Sequence, residues 1–504
     1  MPLRTRAAKR SSPLCISLTL VALLAGGTAQ AQSSVPPSSY PASAPTAPAK
    51  ALAEKAQAEP PKAAAKPATK APSRRDKLLD GLMFGSYGRI NLSGDLSQGS
   101  RGRSVNIVSR GPRLEEGAYG EINLGYRYRR DEGMSFLFLF TLALLDDVFH
   151  YDGEVDSKLA IRNFYLQVDN VLGPYLSLWA GSRMYRGDDI YLLDFWPLDD
   201  LNTLGAGASL CLGKTSLDLH GGVTRLDDPY HYQVMEVPTT KLTTREVEVL
   251  DRQHVVLSAK LKHEIHDLTS WLSMKLIAYG EAHFLPDGTR RADFDVEGLP
   301  ADFGWVAGAQ VGVWGFGPGN YANLFFRAAG GLGAYDELEV PHGLGPDKKS
   351  TDASEVRVGL SAYYGGGMVG ALAGGYLRYF RDADGIASDF DDGWEYVMAV
   401  RPMLYLTRHF HQLFELSVQG ARADGLHPEE QRHLSPHVYK FSLMPALTWD
   451  KGPYARPQLR LVYTYSYLDG AARKMFAPQD VRYGKSSHHY LGVQVEWWYN
   501  SSYR

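Results

Sequence analysis

Residues 118–145 read AYGEINLGYRYRRDEGMSFLFLFTLALL, and their side-chain pattern is the clearest indication of the fold. In its first half, apolar and polar side chains alternate with a period of two, so that Ile122 and Leu124 share one face and Glu121 lies on the other. The apolar run MSFLFLFTLALL has only twelve residues, fewer than the roughly 18–20 that a membrane-spanning helix needs. A short connection separates the two halves, and the pattern therefore predicts two successive β-strands.

The same alternation recurs along the rest of the chain from residue 79. Eighteen stretches of 9–16 residues alternate by two, with starts near residues 82, 117, 133, 158, 174, 203, 214, 253, 269, 303, 320, 353, 368, 392, 409, 436, 455 and 487. The connections alternate in length. The short ones include 130–132, 170–173, 316–319 and 451–453, and the long ones are 94–116, 146–157, 185–202, 227–252, 284–302, 335–352, 383–391, 425–435 and 469–486.

This alternation of connection lengths is typical of outer-membrane barrels, which contain an even number of antiparallel strands. A closed barrel pairs every backbone group inside the lipid, which an open sheet does not. The sequence therefore predicts an all-β protein over residues 79–504. We expect a closed antiparallel transmembrane β-barrel of about 18 strands in the bacterial outer membrane, with short periplasmic turns and long extracellular loops.

The first 78 residues have a different character. Residues 1–31 combine four bases, an apolar run and the small-residue site Ala29-Gln30-Ala31, and are predicted to be a secretory signal peptide. Residues 32–78 are rich in Pro, Ala and Lys, and we expect a disordered periplasmic linker. A plain spacer is favoured over contact with anionic cell-wall polymer. Removing the signal removes Cys15 and leaves Cys211 without a disulfide partner.

The charge balance argues against a nucleic-acid partner. The chain carries a formal net charge of −3, to which residues 1–31 contribute four positive charges and residues 32–78 a net +5, so residues 79–504 carry −12. A nucleic-acid-binding domain instead presents a basic face. The partners that we expect are outer-membrane lipid and a solute in the lumen.

Assigning faces by alternation places four aromatic rings inside the barrel. We call this set the aromatic path: Tyr87, Tyr119, Tyr454 and Trp498. Pairing the last strand with the first closes a barrel, so the strands of the path are neighbours. A ring can stack on the apolar face of a pyranose while charged groups nearby bind its hydroxyls. One inward ring is most simply a space filler, but four with charged neighbours favour a sugar.

The third long loop is the richest segment, WAGSRMYRGDDIYLLDFWPLDDLNTLGAG. Its acidic residues lie among rings that need burial, which a loop exposed to water does not provide. We therefore expect the loop to fold into the lumen and form a charged constriction. The alternative is a solvated acidic loop.

The sequence resembles the maltoporin and sucrose-porin family. WAGSRMYRGDDIYLLDFW, residues 179–196, carries the most specific resemblance, because its Trp-Ala-Gly, Arg, Tyr, Asp and Asp-Phe positions follow the family order. Further matches are RLEEGAYGEINLG, FGSYGRINLS, VRPMLYL, YARPQLRL and the terminal QVEWW. The resemblance implies an eighteen-stranded barrel that assembles as a homotrimer, with the third loop narrowing each pore.

The resemblance also assigns site residues. It implies that the aromatic path is the family's sugar slide and that Trp196 is the aromatic residue of the constriction. The implied polar track comprises Arg89, Arg113, Glu121, Arg162, Asp189, Asp194 and Asp199. Arg162 has a parity that places it at the mouth or on a bulge. A glycine occupies a constriction arginine position, and Arg186 precedes it by one residue.

Two further rings are weaker candidates. The resemblance implies that a neighbouring subunit donates a ring, for which Phe149, His150 or Tyr151 could serve, and Trp271 is a candidate for an additional slide position. We predict no metal site and no cofactor, and we interpret the pair His488-His489 as solvated surface. Divalent cations held by the acidic loops, where they would bridge lipopolysaccharide, are a side hypothesis.

The predicted function is passive, stereoselective diffusion of oligosaccharides of the maltodextrin type, without a chemical step. The main alternative is a general diffusion porin that selects by size and charge. A barrel hydrolase is a second alternative. His409 and His411 share a face, but no Ser or carboxylate is spaced to complete a catalytic set. A structural barrel anchored through the basic linker is the third.

Overall fold

The computed structural model describes residues 81–96, 102–129, 133–147, 156–240, 243–292, 295–385, 391–427 and 429–501. The predicted signal peptide and linker lie outside the described residues, as do Phe149, His150 and Tyr151. Among the described residues, no helix is long and apolar enough to cross a membrane.

The described residues form twenty-two β-strands and two short 3₁₀-helices, Leu332–Ala334 and Ala472–Lys474. Eighteen strands belong to one sheet: β1 Leu82–Asp95, β2 Tyr119–Arg129, β3 Ser135–Asp147, β4 Asp156–Asp169, β5 Leu176–Arg186, β6 Asp200–Leu212, β7 Thr215–Thr224, β10 His254–Thr269, β11 Leu272–Leu285, β14 Asp302–Trp314, β15 Tyr321–Gly331, β16 Ser354–Gly366, β17 Val369–Arg381, β18 Gly393–Tyr405, β19 Phe410–Ala423, β20 His437–Thr448, β21 Gln458–Leu468 and β22 Ser487–Tyr499. The other four form two hairpins: β8 Tyr232–Pro238 with β9 Thr244–Asp251, and β12 Gly288–Ala292 with β13 Asp295–Leu299.

The sheet closes on itself. Successive barrel strands pair antiparallel, and β1 pairs with both β2 and β22. Closure leaves no unpaired edge, which is the condition for crossing lipid with strands. The predicted barrel of eighteen strands is confirmed, and each predicted strand start lies within three residues of the observed one.

The alternation of faces follows the prediction. In β22, Gln494 and Glu496 are buried inside, while Val493 and Tyr499 are exposed on the outer surface. In β2, Glu121 and Asn123 are buried and Ile122 is exposed. Apolar side chains therefore face the lipid and polar ones face the lumen, as an outer-membrane barrel requires.

Two of the long connections contain structure that the sequence analysis did not predict. The segments predicted as loops 227–252 and 284–302 hold the β8–β9 and β12–β13 hairpins. Residues 102–118 also pack against the inner wall: the Ile107 N–H donates to Gln419 at 2.8 Å, and the Lys440 ammonium donates to Glu115 at 2.6 Å. The first connection therefore lines the lumen, as does the third.

Residues 187–199, between β5 and β6, cross the lumen, and we call them the inner loop. Lys260 in β10 donates to Asp199 at 2.6 Å, and the Phe195 ring lies 5.5 Å from that of Tyr376 in β17. The inner loop thus contacts two separate sectors of the wall. The prediction that the third loop folds into the lumen is confirmed.

A bulge in β4 lies beside the start of this loop. Thr141 pairs with Asn163 and Leu142 with Ile161, so Arg162 is an extra residue in the ladder. A bulge bends its strand and redirects a side chain. The sequence left two positions open for Arg162, the mouth of the barrel or a bulge. The bulge is observed, and it turns the Arg162 side chain inward although its parity is that of an outward residue.

Gly181 marks the point where β5 separates from β4. The pairing of these strands ends at Phe164–Ser182, and beyond it the Met184 N–H donates to the Asn163 side-chain oxygen at 3.1 Å. Gly181 has φ of 131°, and a Cβ there would lie 2.3 Å from the Phe164 carbonyl oxygen. Only glycine fits this conformation without strain, so Gly181 permits β5 to separate from β4 and continue into the inner loop.

We expect the substitution Gly181→Ala to destabilise the barrel by about 1–3 kcal/mol, because the added Cβ meets backbone atoms that cannot move independently. The measurement is the urea midpoint of the refolded protein in lipid, followed by tryptophan fluorescence. Gly120→Ala is the matched control, since its Cβ would meet no atom closer than 3.8 Å. Equal midpoints for the two variants would contradict this account of Gly181.

Candidate functional site

Three rings of the aromatic path lie together on the inner wall. Tyr87 and Trp498 are cross-strand partners in β1 and β22, and the Tyr119 ring centroid lies 5.8 Å from that of Tyr87. Their exposed fractions are 1% for Tyr87, 2% for Tyr119 and 8% for Trp498. The closure of the barrel therefore brings these residues together, as the sequence predicted.

The fourth ring, Tyr454, lies inside the barrel for a different reason. It lies in the connection before β21 rather than in the strand, because Pro457 has no N–H for the ladder and pairing begins at Gln458. The connection folds inward, so that the Tyr454 ring lies 5.1 Å from that of Tyr191 and its hydroxyl 2.5 Å from that of Tyr321.

Tyr191 links the parts of the path, although strand alternation did not predict a place for it there. Its ring packs edge-on against Trp498 at 6.5 Å as well as against Tyr454. The inner loop directs Tyr191 through a turn that ends at Asp194, which has φ of 52°. A strand period cannot give the direction of a loop side chain. The only available signal was the need of this ring for burial.

The Arg113 side chain is the centre of an ionic cluster that lies beside the aromatic path. Its guanidinium donates to the Tyr87 hydroxyl and to Glu496, each at 3.1 Å, and lies 3.6 Å from Asp194. Its backbone N–H donates to the carbonyl oxygen of Leu192 at 3.2 Å. Arg113 therefore connects the first connection, the barrel wall and the inner loop.

Two further arginines contact the Glu496 carboxylate that Arg113 binds. Arg456 lies 2.8 Å and Arg460 3.4 Å from its second carboxylate oxygen, opposite Arg113. A buried carboxylate is tolerated only when it is well paired, and three guanidinium groups meet that condition here. Arg456 also lies over the Trp498 ring, 4.4 Å from its centroid.

Three further residues of the predicted track, Glu121, Arg162 and Arg89, lie beside the first two rings. Glu121 accepts a hydrogen bond from the Tyr119 hydroxyl and lies 3.6 Å from the Arg162 Nε. The Arg162 guanidinium lies 5.3 Å from the Tyr119 ring centroid. Arg89 pairs with Glu116. The structure therefore brings rings and ionic groups together in one region.

The sequence left open whether Arg186, at the base of the inner loop, stands in for the constriction arginine. Its guanidinium pairs with Asp200 and lies 4.0 Å from the centroid of the Trp196 ring. A Cβ on Gly187 would lie 2.3 Å from a carboxylate oxygen of Asp199. Gly187 therefore leaves room for Asp199, and Arg186 supplies the guanidinium at Trp196.

The inner loop holds two strongly perturbed carboxyl groups. Burial, together with the charges of Asp194 and Asp188, raises the pKa of Asp189 well above its usual range. Burial also raises the pKa of Asp194, and the Arg113 guanidinium opposes that shift. Asp189 is 2% exposed, and within the described part of the chain neither of its carboxylate oxygens has a hydrogen-bond partner.

Two interpretations of the sequence are wrong. Trp271 lies in the turn between β10 and β11 and is 58% exposed, so it adds no ring to the path. The position falls between two strands, where alternation does not define a face. His488 is buried rather than solvated, because it faces inward in β22.

A closed barrel with a polar lumen, crossed by an inward-folded loop, defines an outer-membrane porin, a channel rather than an enzyme. The comparison with protein families agrees: the LamB porin model matches residues 82–499, and the chain belongs to the LamB porin family.

Curated relatives share modest identity with the chain. A maltoporin of Vibrio cholerae serotype O1 is 23% identical over 370 residues, which cover 69% of this chain and 78% of the relative. A maltoporin of Photobacterium profundum is 24% identical over 442 residues, which cover 81% of this chain and 91% of the relative.

The comparison with solved structures found outer-membrane proteins of two organisms. Pseudomonas aeruginosa OpdK, solved with vanillate, is 11% identical with a TM-score of 0.39, covering 84% of this chain and 99% of that chain. Acinetobacter baumannii OccAB2 is 11% identical with a TM-score of 0.41, covering 84% and 99%.

We expect Gly187→Ala to release one end of the inner loop, because the added Cβ displaces Asp199 from Lys260. Breaking a buried ion pair costs up to about 3–5 kcal/mol, and a loop that leaves the lumen widens the channel. The measurement is single-channel conductance in a planar bilayer, which should rise and become noisier. Gly298→Ala is the control, since no atom lies within 4 Å of its Cβ. Unchanged conductance in Gly187→Ala would show that this contact does not hold the loop.

Proposed function

We propose that the chain mediates passive, stereoselective diffusion of maltodextrin-like oligosaccharides through its barrel. One observation carries the proposal: the aromatic path, extended by Tyr191, runs directly beside the ionic cluster around Arg113 and Glu496. A pyranose has an apolar face and a rim of hydroxyl groups. A constriction that offers rings on one side and charged groups on the other matches both.

A sugar that binds the rings replaces cation–π contacts that already exist in the lumen. The Arg162 guanidinium covers Tyr119, and that of Arg456 covers Trp498. A cation–π contact of this kind contributes about 0.5–2 kcal/mol. When a sugar replaces the guanidinium on the ring, the displaced group can bind the sugar's hydroxyls instead. The exchange keeps net binding weak, and a solute must bind weakly to leave a channel again.

The buried Asp189 carboxyl group also supports the proposal. A buried carboxyl group without a partner is costly, and sugar hydroxyls are donors of the kind that it lacks.

The names of the curated relatives point to the same class of solute, since they are maltoporins. The family resemblance further implies a homotrimer, which we include in the proposal. No chemical step and no energy input is required, because a solute crosses along its concentration gradient.

A general diffusion porin that selects by size and charge is the second candidate. The observation that favours it is the same coverage of ring faces: guanidinium groups on Tyr119, Trp498 and Trp196 can serve to hold a rigid constriction. Under this alternative the rings brace the wall and never contact the solute.

The decisive measurement is the current through single channels in a planar bilayer, titrated with maltooligosaccharides of increasing length and with sucrose. We expect saturable block that tightens with chain length. In Trp498→Ala and Tyr454→Ala, block should weaken roughly two- to twelvefold, because one ring contact contributes about 0.5–1.5 kcal/mol.

Trp497→Ala is the matched control, since Trp497 is adjacent in β22 but faces outward and donates to Ser86 at 3.1 Å. Its block constants should equal those of the unsubstituted chain. An open channel that no sugar blocks would refute sugar selectivity and leave the general porin. Equal weakening in Trp497→Ala would attribute the effect to the strand rather than to the path.

A further inference from the structure

Three potential ligands meet at the long-loop end of the barrel, away from the aromatic path. His342 comes from the loop between β15 and β16, and Asp382 and Asp391 come from the loop between β17 and β18. One ligating atom of each lies within 4.8 Å of the other two. The His342 Nδ1 is 3.7 Å from an Asp391 carboxylate oxygen.

Asp382 is the buried member of these three residues. It is 2% exposed, and one of its carboxylate oxygens accepts the Asp384 N–H at 3.1 Å. In the described part of the chain, the other oxygen, Oδ2, has no hydrogen-bond partner. Gly343 has φ of 54°, and a Cβ there would lie 1.5 Å from Oδ2. The backbone therefore makes room for a carboxylate oxygen that is left buried and unsatisfied, which is costly unless a ligand completes it.

A backbone hydrogen bond joins the two loops at this point, since the Ala383 N–H donates to the Gly343 carbonyl oxygen at 2.8 Å. Within the β17–β18 loop, the Asp382 N–H donates to the Asp392 carboxylate at 2.7 Å. The His342 imidazole packs between rings, 5.3 Å from Tyr335 and 5.7 Å from Phe380. The neighbouring structure thus fixes both the imidazole and the buried carboxylate.

We propose that His342, Asp382 and Asp391 bind a divalent cation of the zinc class. One imidazole and two carboxylates supply three ligands and two negative charges, and Zn²⁺ accepts this donor set with water in a fourth position. Ca²⁺ prefers six to eight oxygens and Mg²⁺ an octahedron of oxygens. An imidazole favours zinc over both of them.

The geometry requires only a small adjustment. Zinc bonds of about 2.0–2.1 Å place tetrahedral ligands roughly 3.4 Å apart. The Asp391 side chain is 57% exposed, so it can approach the fixed Asp382 carboxylate and the His342 imidazole. The cation then joins the β15–β16 loop to the β17–β18 loop. Nothing in this proposal depends on the solute that crosses the lumen, and the ligands are too far apart in sequence to form a motif.

The test is a titration of the refolded chain with Zn²⁺ against a chromophoric competitor, with Ca²⁺ titrated in parallel. We expect one saturable Zn²⁺ site per chain that is lost, or weakened at least tenfold, in Asp382→Asn and in His342→Gln. His266→Gln is the matched control, because it removes another imidazole beside a carboxylate, 3.2 Å from Glu264. That variant should bind Zn²⁺ as the unsubstituted chain does.

Folding of each variant is checked by its heat-dependent mobility in a denaturing gel. If Asp382→Asn fails to fold, the exposed Asp391→Asn replaces it with the same expected loss. Zn²⁺ should also slow proteolysis within the two loops. Absence of a Zn²⁺ site, equal affinity in the ligand variants, or a Ca²⁺ site indifferent to His342→Gln would each overturn the proposal.

Discussion

The pairing of β1 with β22 is the interaction on which the rest of the molecule depends. Lipid offers no hydrogen-bond partners, so each backbone N–H and C=O in the wall must find one in a neighbouring strand. Closure satisfies this condition, and it also sets Tyr87 opposite Trp498 and Arg89 opposite Glu496. Rings and charges from the two ends of the chain thus become neighbours. The candidate site exists only when the barrel is closed.

The second constraint is the cost of burying charge. The lumen contains many ionic groups that the inner loop and the first connection shield from solvent, and such groups persist only in pairs or clusters. Lys260 with Asp199 and Lys275 with Asp188 hold the inner loop at one side, each at 2.6 Å, and Arg113 holds it at the other. The same charges therefore shape the pore and fix the loop that narrows it.

Much of this arrangement could be predicted from the sequence, because a strand period of two assigns a face to each residue of the wall. The strand number and the inward faces of Tyr87, Tyr119 and Trp498 follow from that period, and the parity of Arg162 left a choice between the mouth of the barrel and a bulge. It carries no information on loops. Tyr191, the lining by residues 102–118 and the approach of His342 to Asp382 therefore could not be predicted. Tyr454 and Trp271 show where strand alternation stops being informative. Both lie in connections, yet Tyr454 faces inward and Trp271 is exposed.

The way the inner loop is held bears on how selection can arise. A loop anchored by ion pairs to the wall at one side and to Arg113 of the first connection at the other resists displacement, because each pair that breaks leaves a buried charge. The guanidinium groups of Arg162 and Arg456 are different, since each lies over a ring and close to a carboxylate at once. Such a group can leave the ring and keep its ionic partner. Rearrangement of these side chains is therefore the least costly way to open the ring faces, and selectivity then depends on whether a solute can replace the guanidinium on the ring.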